Sequence, residues 1–201
     1  MTLKNRNREI KMTTSIKRGL ILVLAGLAAT AAVSQAAEVR PVFVAGYDTG
    51  GDKIVNAQFT NGGSDSIRAN QGLYFGGGIS VLNEDKNIEF LGTASYKYAA
   101  IHADNGDVTW TSVPLDALLF YRMQSFRVGG GLTFVMSPKL KGSGVAGGVN
   151  TNVDNAVGVI LQADYLLGKV AIGLRGTFVD YKAGGATAKG NGVGVTFGIT
   201  F

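Results

Sequence analysis

Seven charged side chains hold most of the chemistry this sequence can offer: Glu89, Lys97, Asp116, Arg122, Arg127, Asp164 and Arg175. Each lies in a stretch of alternating residues, on the parity shared with Gly, Thr and Ser rather than with the apolar residues. Read as strands, those stretches turn all seven charges to one side. Four cations and three anions confined to a narrow interior must pair, because an unpaired buried ion is costly. The pairing predicts a plug; the competing reading is a charged constriction in a narrow pore for small solutes. Glu89, Arg122, Arg127 and Asp164 fall at corresponding ends of their stretches, so they are expected at similar depth and within reach of one another.

A second candidate is His102, the single histidine, in IHADNGD (101–107) beside Asp104 and Asp107. Histidine with carboxylates could ligate a metal or act as a general base. Asn105-Gly106 argues instead for a polar hairpin turn, since both residues tolerate positive φ. No serine stands close to His102 as a nucleophile, which leaves acyl transfer a minor reading. No catalytic, cofactor-binding or metal residue is assigned, and no cofactor is expected. The GGG runs at 76–78 and 129–131 sit within alternating stretches, not at a strand-to-helix turn, so they are not phosphate loops.

The elements that must position these charges are strands. After Ala36 no helical periodicity is sustained, whereas period-2 alternation recurs eight times, over 39–48, 71–82, 87–100, 108–122, 126–137, 155–167, 169–181 and 192–201. The connectors 49–70, 101–107, 138–154 and 182–191 are long, polar and glycine-rich; those between them, NED, MQS and Gly168, are tight. That rhythm is the signature of an up-and-down barrel whose termini lie at the short-turn end. One face of 87–100 carries Ile88, Phe90, Ala94, Tyr96 and Tyr98; the other carries Glu89, Thr93, Ser95 and Lys97.

A soluble sandwich would expose a face rich in Lys and Glu. Here the polar face is small and sparsely charged, as a crowded lumen would be. Strands of this length match the ~9–11 tilted residues that cross a bilayer. With apolar faces toward lipid, every backbone group needs an internal partner, so the sheet must close. Tyr121, Phe126, Tyr165 and Phe201 fall at the short-turn end and Tyr47, Tyr98 and Phe178 near the other, as interfacial girdles do. The expectation is an all-β, eight-stranded antiparallel transmembrane barrel over residues 37–201.

Residues 1–36 are expected to be a cleavable helical signal peptide: a cationic stretch, the apolar run 19–33, then Ser34 and Ala36 at the −3 and −1 positions. Met12 is an alternative initiator to Met1. The leader holds six of 19 basic and one of 14 acidic residues, so cleavage leaves 13 of each and a net charge of zero. The global basicity therefore argues for no nucleic-acid partner. With no Cys, no disulfide contributes.

Signal peptide, eight alternating strands, loop rhythm and the closing GVGVTFGITF with its terminal Phe201 together resemble the small outer-membrane β-barrel proteins of Gram-negative bacteria, the class of the OmpA transmembrane domain and OmpX-like proteins. The resemblance implies location in the bacterial outer membrane and a non-enzymatic structural or surface-interaction role through external loops. It also implies a monomer in contact with outer-membrane lipid. Val195, Phe197, Ile199 and Phe201 would be read by the outer-membrane assembly machinery. Lys139 and Lys141, in the connector 138–154, could meet phosphates of lipopolysaccharide or simply stand in a solvated loop. Two residues sit awkwardly: Pro114 lies inside a strand, predicting a bulge or break there. Trp110 falls on the inward parity, predicting a later strand start or a parity reset at Pro114.

Overall fold

A computed structural model describes residues 37–58, 64–103, 106–144, 147–148 and 150–201. The expected signal peptide, 1–36, lies outside the described residues, as do Asp104 and Asn105.

Eight long strands form the wall: β1 (Glu38–Gly50), β4 (Gly72–Leu82), β5 (Ile88–Ala103), β6 (Gly106–Arg122), β7 (Phe126–Gly142), β9 (Ala156–Leu167), β10 (Val170–Ala183) and β12 (Gly192–Thr200). Each pairs antiparallel with the next, and β12 pairs back onto β1, from Val42 opposite Thr200 to Gly50 opposite Gly192. The circuit is closed, so no long strand keeps a free edge within the wall. At the closing seam the Phe201 N–H donates to the Pro41 carbonyl at 3.0 Å.

The three short connectors cluster at one end and the longer ones at the other. The latter are not plain loops. The segment 49–70 contains the hairpin of β2 (Lys53–Gln58) and β3 (Ser64–Arg68), a separate two-stranded sheet. The described residues of connector 101–107 belong to β5 and β6, 138–154 contains the end of β7 and β8 (Asn150–Asn152), and 182–191 contains the end of β10 and β11 (Ala186–Lys189). The wall therefore continues well past the predicted strand ends as a folded head.

Along β5, β6 and β10, which run on into the head, the binary pattern inverts where the head begins. On β5 the outward residues Ile88, Tyr96 and Tyr98 are exposed and Glu89, Ser95 and Lys97 are buried; above them Ile101 is buried and His102 exposed. On β10, Leu174 and Phe178 face out and Arg175 and Thr177 in, followed by Val179 and Tyr181 inside and Asp180 and Lys182 outside. On β6 the inward series passes from Asp116 and Ser112 to Trp110 and Val108. Below the crossover lies a barrel with an apolar exterior and polar interior; above it, the reverse. From Ile88 to Tyr98 the apolar exterior runs ten steps of about 3.4 Å, a height of about 26 Å at the ~40° tilt that closing eight strands requires.

At Trp110 the sequence expectation is corrected, and at Pro114 the expected break is found but not a bulge. Trp110 needs neither a later start nor a reset: β6 begins earlier, at Gly106, its parity is unbroken, and Trp110 is 1% exposed within the head's apolar core. Tyr181 meets it edge-on, ring centroids 5.6 Å apart at 86°. The bulge does not lie at Pro114, which pairs with Val135; only the ladder to β5 lapses there, between Ala94 and Lys97, since proline donates no hydrogen bond. The register shift falls between Thr111 and Val113 and sets Ser137 and Pro138 of β7 against Ser112, with Ser137 at φ 48°. Asn155 Oδ1 accepts from the Ser137 N–H at 2.9 Å. The extra residue turns Leu140 inward and Lys139 and Lys141 outward, the parity the head requires.

Candidate functional site: two charged storeys and an apolar cap

The lumen of the barrel holds its charges in two layers. The lower one, toward the short turns, gathers Glu89, Arg122, Arg127 and Asp164 from β5, β6, β7 and β9. Glu89 accepts from Arg122 Nη1 at 2.5 Å and from Arg127 Nη1 at 2.6 Å, and Arg127 Nε donates to Asp164 Oδ2 at 2.6 Å. Ser80 Oγ donates to Glu89 at 2.7 Å, Gln162 Nε2 donates to Asp164 at 2.9 and 3.0 Å, and the Arg127 guanidinium lies 4.5 Å over the Phe120 ring. Two cations face two carboxylates, with neutral donors occupying remaining lone pairs. This is the arrangement in which buried charge is tolerated.

The upper layer is Lys97, Asp48, Asp116 and Arg175. Lys97 Nζ donates to Asp48 Oδ2 at 2.7 Å and to Asn70 Oδ1 at 2.8 Å. Arg175 Nη2 reaches Asp116 Oδ2 at 3.2 Å, while its Nε stands 3.9 Å from Asp48 Oδ1. Arg175 also lies 5.1 Å over the Tyr74 ring, which sits where a Cβ on Gly46 would have to be. Asp48 and Asn70 are the partners that sequence reading missed. Four predicted cations against three anions left one charge over, and that excess was the available signal for Asp48.

Between the storeys Val42, Val44, Leu91, Leu118, Phe120 and Ile160 fill the lumen, leaving a cavity of about 10 Å³, room for a single water. Above the upper storey, Ile67, Ile101, Val108, Trp110, Leu140, Val179 and Tyr181 form a second apolar cluster, with Ile54 and Val55 of the hairpin packed on it. Burial there, with the Asp48 and Asp116 carboxylates below, pushes the Tyr181 hydroxyl well above its ordinary range and keeps it neutral. At the opposite rim Glu38 accepts from Arg40 at 2.7 Å and pairs with Lys86 at 3.3 Å; Arg40 first and then Lys86 hold its carboxyl below the usual range.

The remaining sequence candidates are scattered. His102 is exposed on the outer face of the head, opposite Asp107 in the ladder, and among the described residues no group of three His, Asp or Glu side chains could hold a metal. Lys139 and Lys141 lie outward on β7, beside Thr111 and Thr109 of β6 and Asn152 and Asn150 of β8. Val195, Phe197 and Phe201 are exposed on the outer face, Ile199 half-buried among them.

No protein-family model and no curated protein matches the chain. Among solved structures it is similar to Neisserial surface protein A, at 13% identity over 82% of this chain and 99% of that one, with a TM-score of 0.44. It is also similar to Ail, the attachment invasion locus protein of Yersinia pestis, at 10% identity over 84% and 100% of the two chains, with a TM-score of 0.46.

Proposed function

We infer that the chain is an integral bacterial outer-membrane protein whose lumen is plugged and whose role is structural or surface-interacting rather than enzymatic. The observation that carries this reading is the inversion of pattern along the wall. An exterior that is apolar for about 26 Å and then turns polar, with the interior doing the opposite, fits a wall passing from lipid into water. Exposed Tyr121, Phe126 and Tyr165 at one margin and Tyr47, Tyr98 and Phe178 at the other suit interfacial girdles.

The plug reading rests on the charge-balanced storeys and the apolar packing between them. Refolded protein in a planar bilayer should pass no steady current; large, stable channels would overturn the plug and favour the pore. The head then offers the surface. Among the described residues its exposed face carries no large apolar side chain and offers polar groups. Lys139 and Lys141, flanked by hydroxyls and amides just above the apolar belt, suit phosphates of lipopolysaccharide. Residues 1–36 would direct export, and the closing strand to Phe201 would be read during assembly. Deleting Phe201 should impair membrane insertion.

A further inference from the structure

The outer face of the belt is not evenly filled. Val128, Ala163, Leu174, Val195 and Tyr47 stand opposite one another on β7, β9, β10, β12 and β1; the next row toward the head is Leu161, Gly176, Val193 and Thr49. Gly176 puts no side chain between Leu161 and Val193, and Ala163 only a methyl group between Val128 and Leu174. The result is a groove of about 710 Å³ with a largely apolar lining. It runs obliquely across four strand spacings, about 19 Å. One end is Val128, the outward residue next to Phe126 of one girdle; the other is Tyr47 of the opposite girdle.

Above the Tyr47 end three cations gather. Lys53 and Arg68 face each other across the β2–β3 ladder, a position in which like charges repel. Arg68 Nη1 donates to the Gly51 carbonyl at 3.1 Å, two residues past Thr49. Lys189 follows Val193 and Asn191 toward the head on one exposed parity, and its carbonyl accepts from the Asp52 N–H at 2.7 Å. Two acids lie near without neutralising the group. Asp52 Oδ2 accepts from the Lys189 backbone N–H, and Asp180 stands opposite Lys189 in the ladder with no ion pair between them. Among the described residues Lys53, Arg68 and Lys189 pair with no carboxylate, and Nε and Nη2 of Arg68 donate to nothing. A guanidinium held in place with donors to spare, beside two ammonium groups, suits a phosphate.

We propose that groove and cations together bind a phosphate-bearing lipid of the leaflet next to the head, with one acyl chain along the groove and the phosphate at Arg68, Lys53 and Lys189. Charge complementarity selects this occupant. A second copy of the chain, inserted the same way up, would set cations against cations, and a free phosphate would leave the groove unused. The site lies four strands round the circuit from Lys139 and Lys141 and is separate from them. It rests on the reading of the belt as facing lipid.

Native mass spectrometry of refolded protein in dodecyl maltoside tests the site, with dipalmitoyl phosphatidic acid as the probe, dipalmitoylglycerol for the chains alone and inorganic phosphate for the anion alone. Phosphatidic acid should be retained and the other two lost. Gly176→Leu fills the groove and should weaken retention roughly tenfold. The wall tolerates that change, since a Cβ at Gly176 meets only ring carbons of Phe178, at 3.6 and 3.8 Å. Arg68→Gln should weaken retention by a similar, roughly tenfold, factor, the loss of a charge-assisted hydrogen bond. Insertion of the same preparations into liposomes, read by heat-modifiable gel mobility, checks the belt separately. Protein that inserts yet holds phosphatidic acid no better than dipalmitoylglycerol overturns the site and leaves the belt standing, as does undiminished retention in Gly176→Leu. Inorganic phosphate held as well as the lipid, or a dimer that Gly176→Leu abolishes, gives the site another occupant and overturns the proposal. Failure of the unaltered chain to insert overturns the lipid-facing belt and the site with it.

Discussion

The belt and the head are built from the same strands yet obey opposite rules. In the belt Leu174 and Phe178 are exposed while Arg175 is buried; a few residues along the same strand, Asp180 is exposed and Tyr181 buried. The β5–β6 ladder resumes above Pro114 and runs on in unchanged register to Ala103 opposite Gly106, whereas on β7 a bulge accompanies the change. What changes is the medium outside. Where the wall meets lipid, apolar groups gain nothing from the interior and the charges are forced inward to pair. Where it meets water, burying Trp110 and Ile101 regains the ordinary hydrophobic benefit. The position of the crossover is thus a reading of where lipid ends.

Substitutions that treat the two regions alike should have unequal effects. The largest is expected in the belt's interior: Arg127→Ala strips Asp164 of the cation paired with it and leaves Glu89 to Arg122, and should cost about 3–5 kcal/mol, because a buried carboxylate loses its compensation. Urea titration of refolded protein would measure it, and the same variant should leak current. In the head, Trp110→Ala should cost about 3–4 kcal/mol through the cavity it opens. Its damage should be local, read as earlier proteolytic cutting of the head while the belt stays intact. On the belt's exterior, Leu174→Arg should cost about 2–4 kcal/mol, as a cation facing lipid does. Thr109→Arg, on the exterior of the head, should stay within about 0.5 kcal/mol. Equal effects for that last pair would dissolve the distinction between the two regions.

The seven lumen charges and the eight strands were legible because parity is a local property: Glu89 beside Ile88 and Arg127 beside Phe126 declare their faces from the sequence itself. Other features were hidden by changes in that rule along one strand. Trp110 reads as an anomaly only while the belt's pattern is extended upward; once inverted, Trp110, Val108 and Ile101 are ordinary core residues. The outward placing of Lys139 and Lys141 depends on the Ser137–Pro138 bulge, which shifts register by one and leaves no trace in composition. Asn70 was beyond reach for another reason. It lies in a connector, and its bond to Lys97 spans 27 residues and depends on how the hairpin folds back.

The height at which the exterior passes from lipid to water is measured most directly by spin labels along the outer face of β5. Single cysteines at Phe90, Ala94, Tyr96, Tyr98, Ala100 and His102, labelled and reconstituted in liposomes, would be compared for collision with oxygen, which enriches in lipid, and with a water-soluble nickel chelate. The preference should favour oxygen through Tyr96 and cross over between Tyr98 and His102. A label at Tyr96 that meets the nickel chelate freely, or one at His102 buried as deeply as that at Phe90, would contradict it.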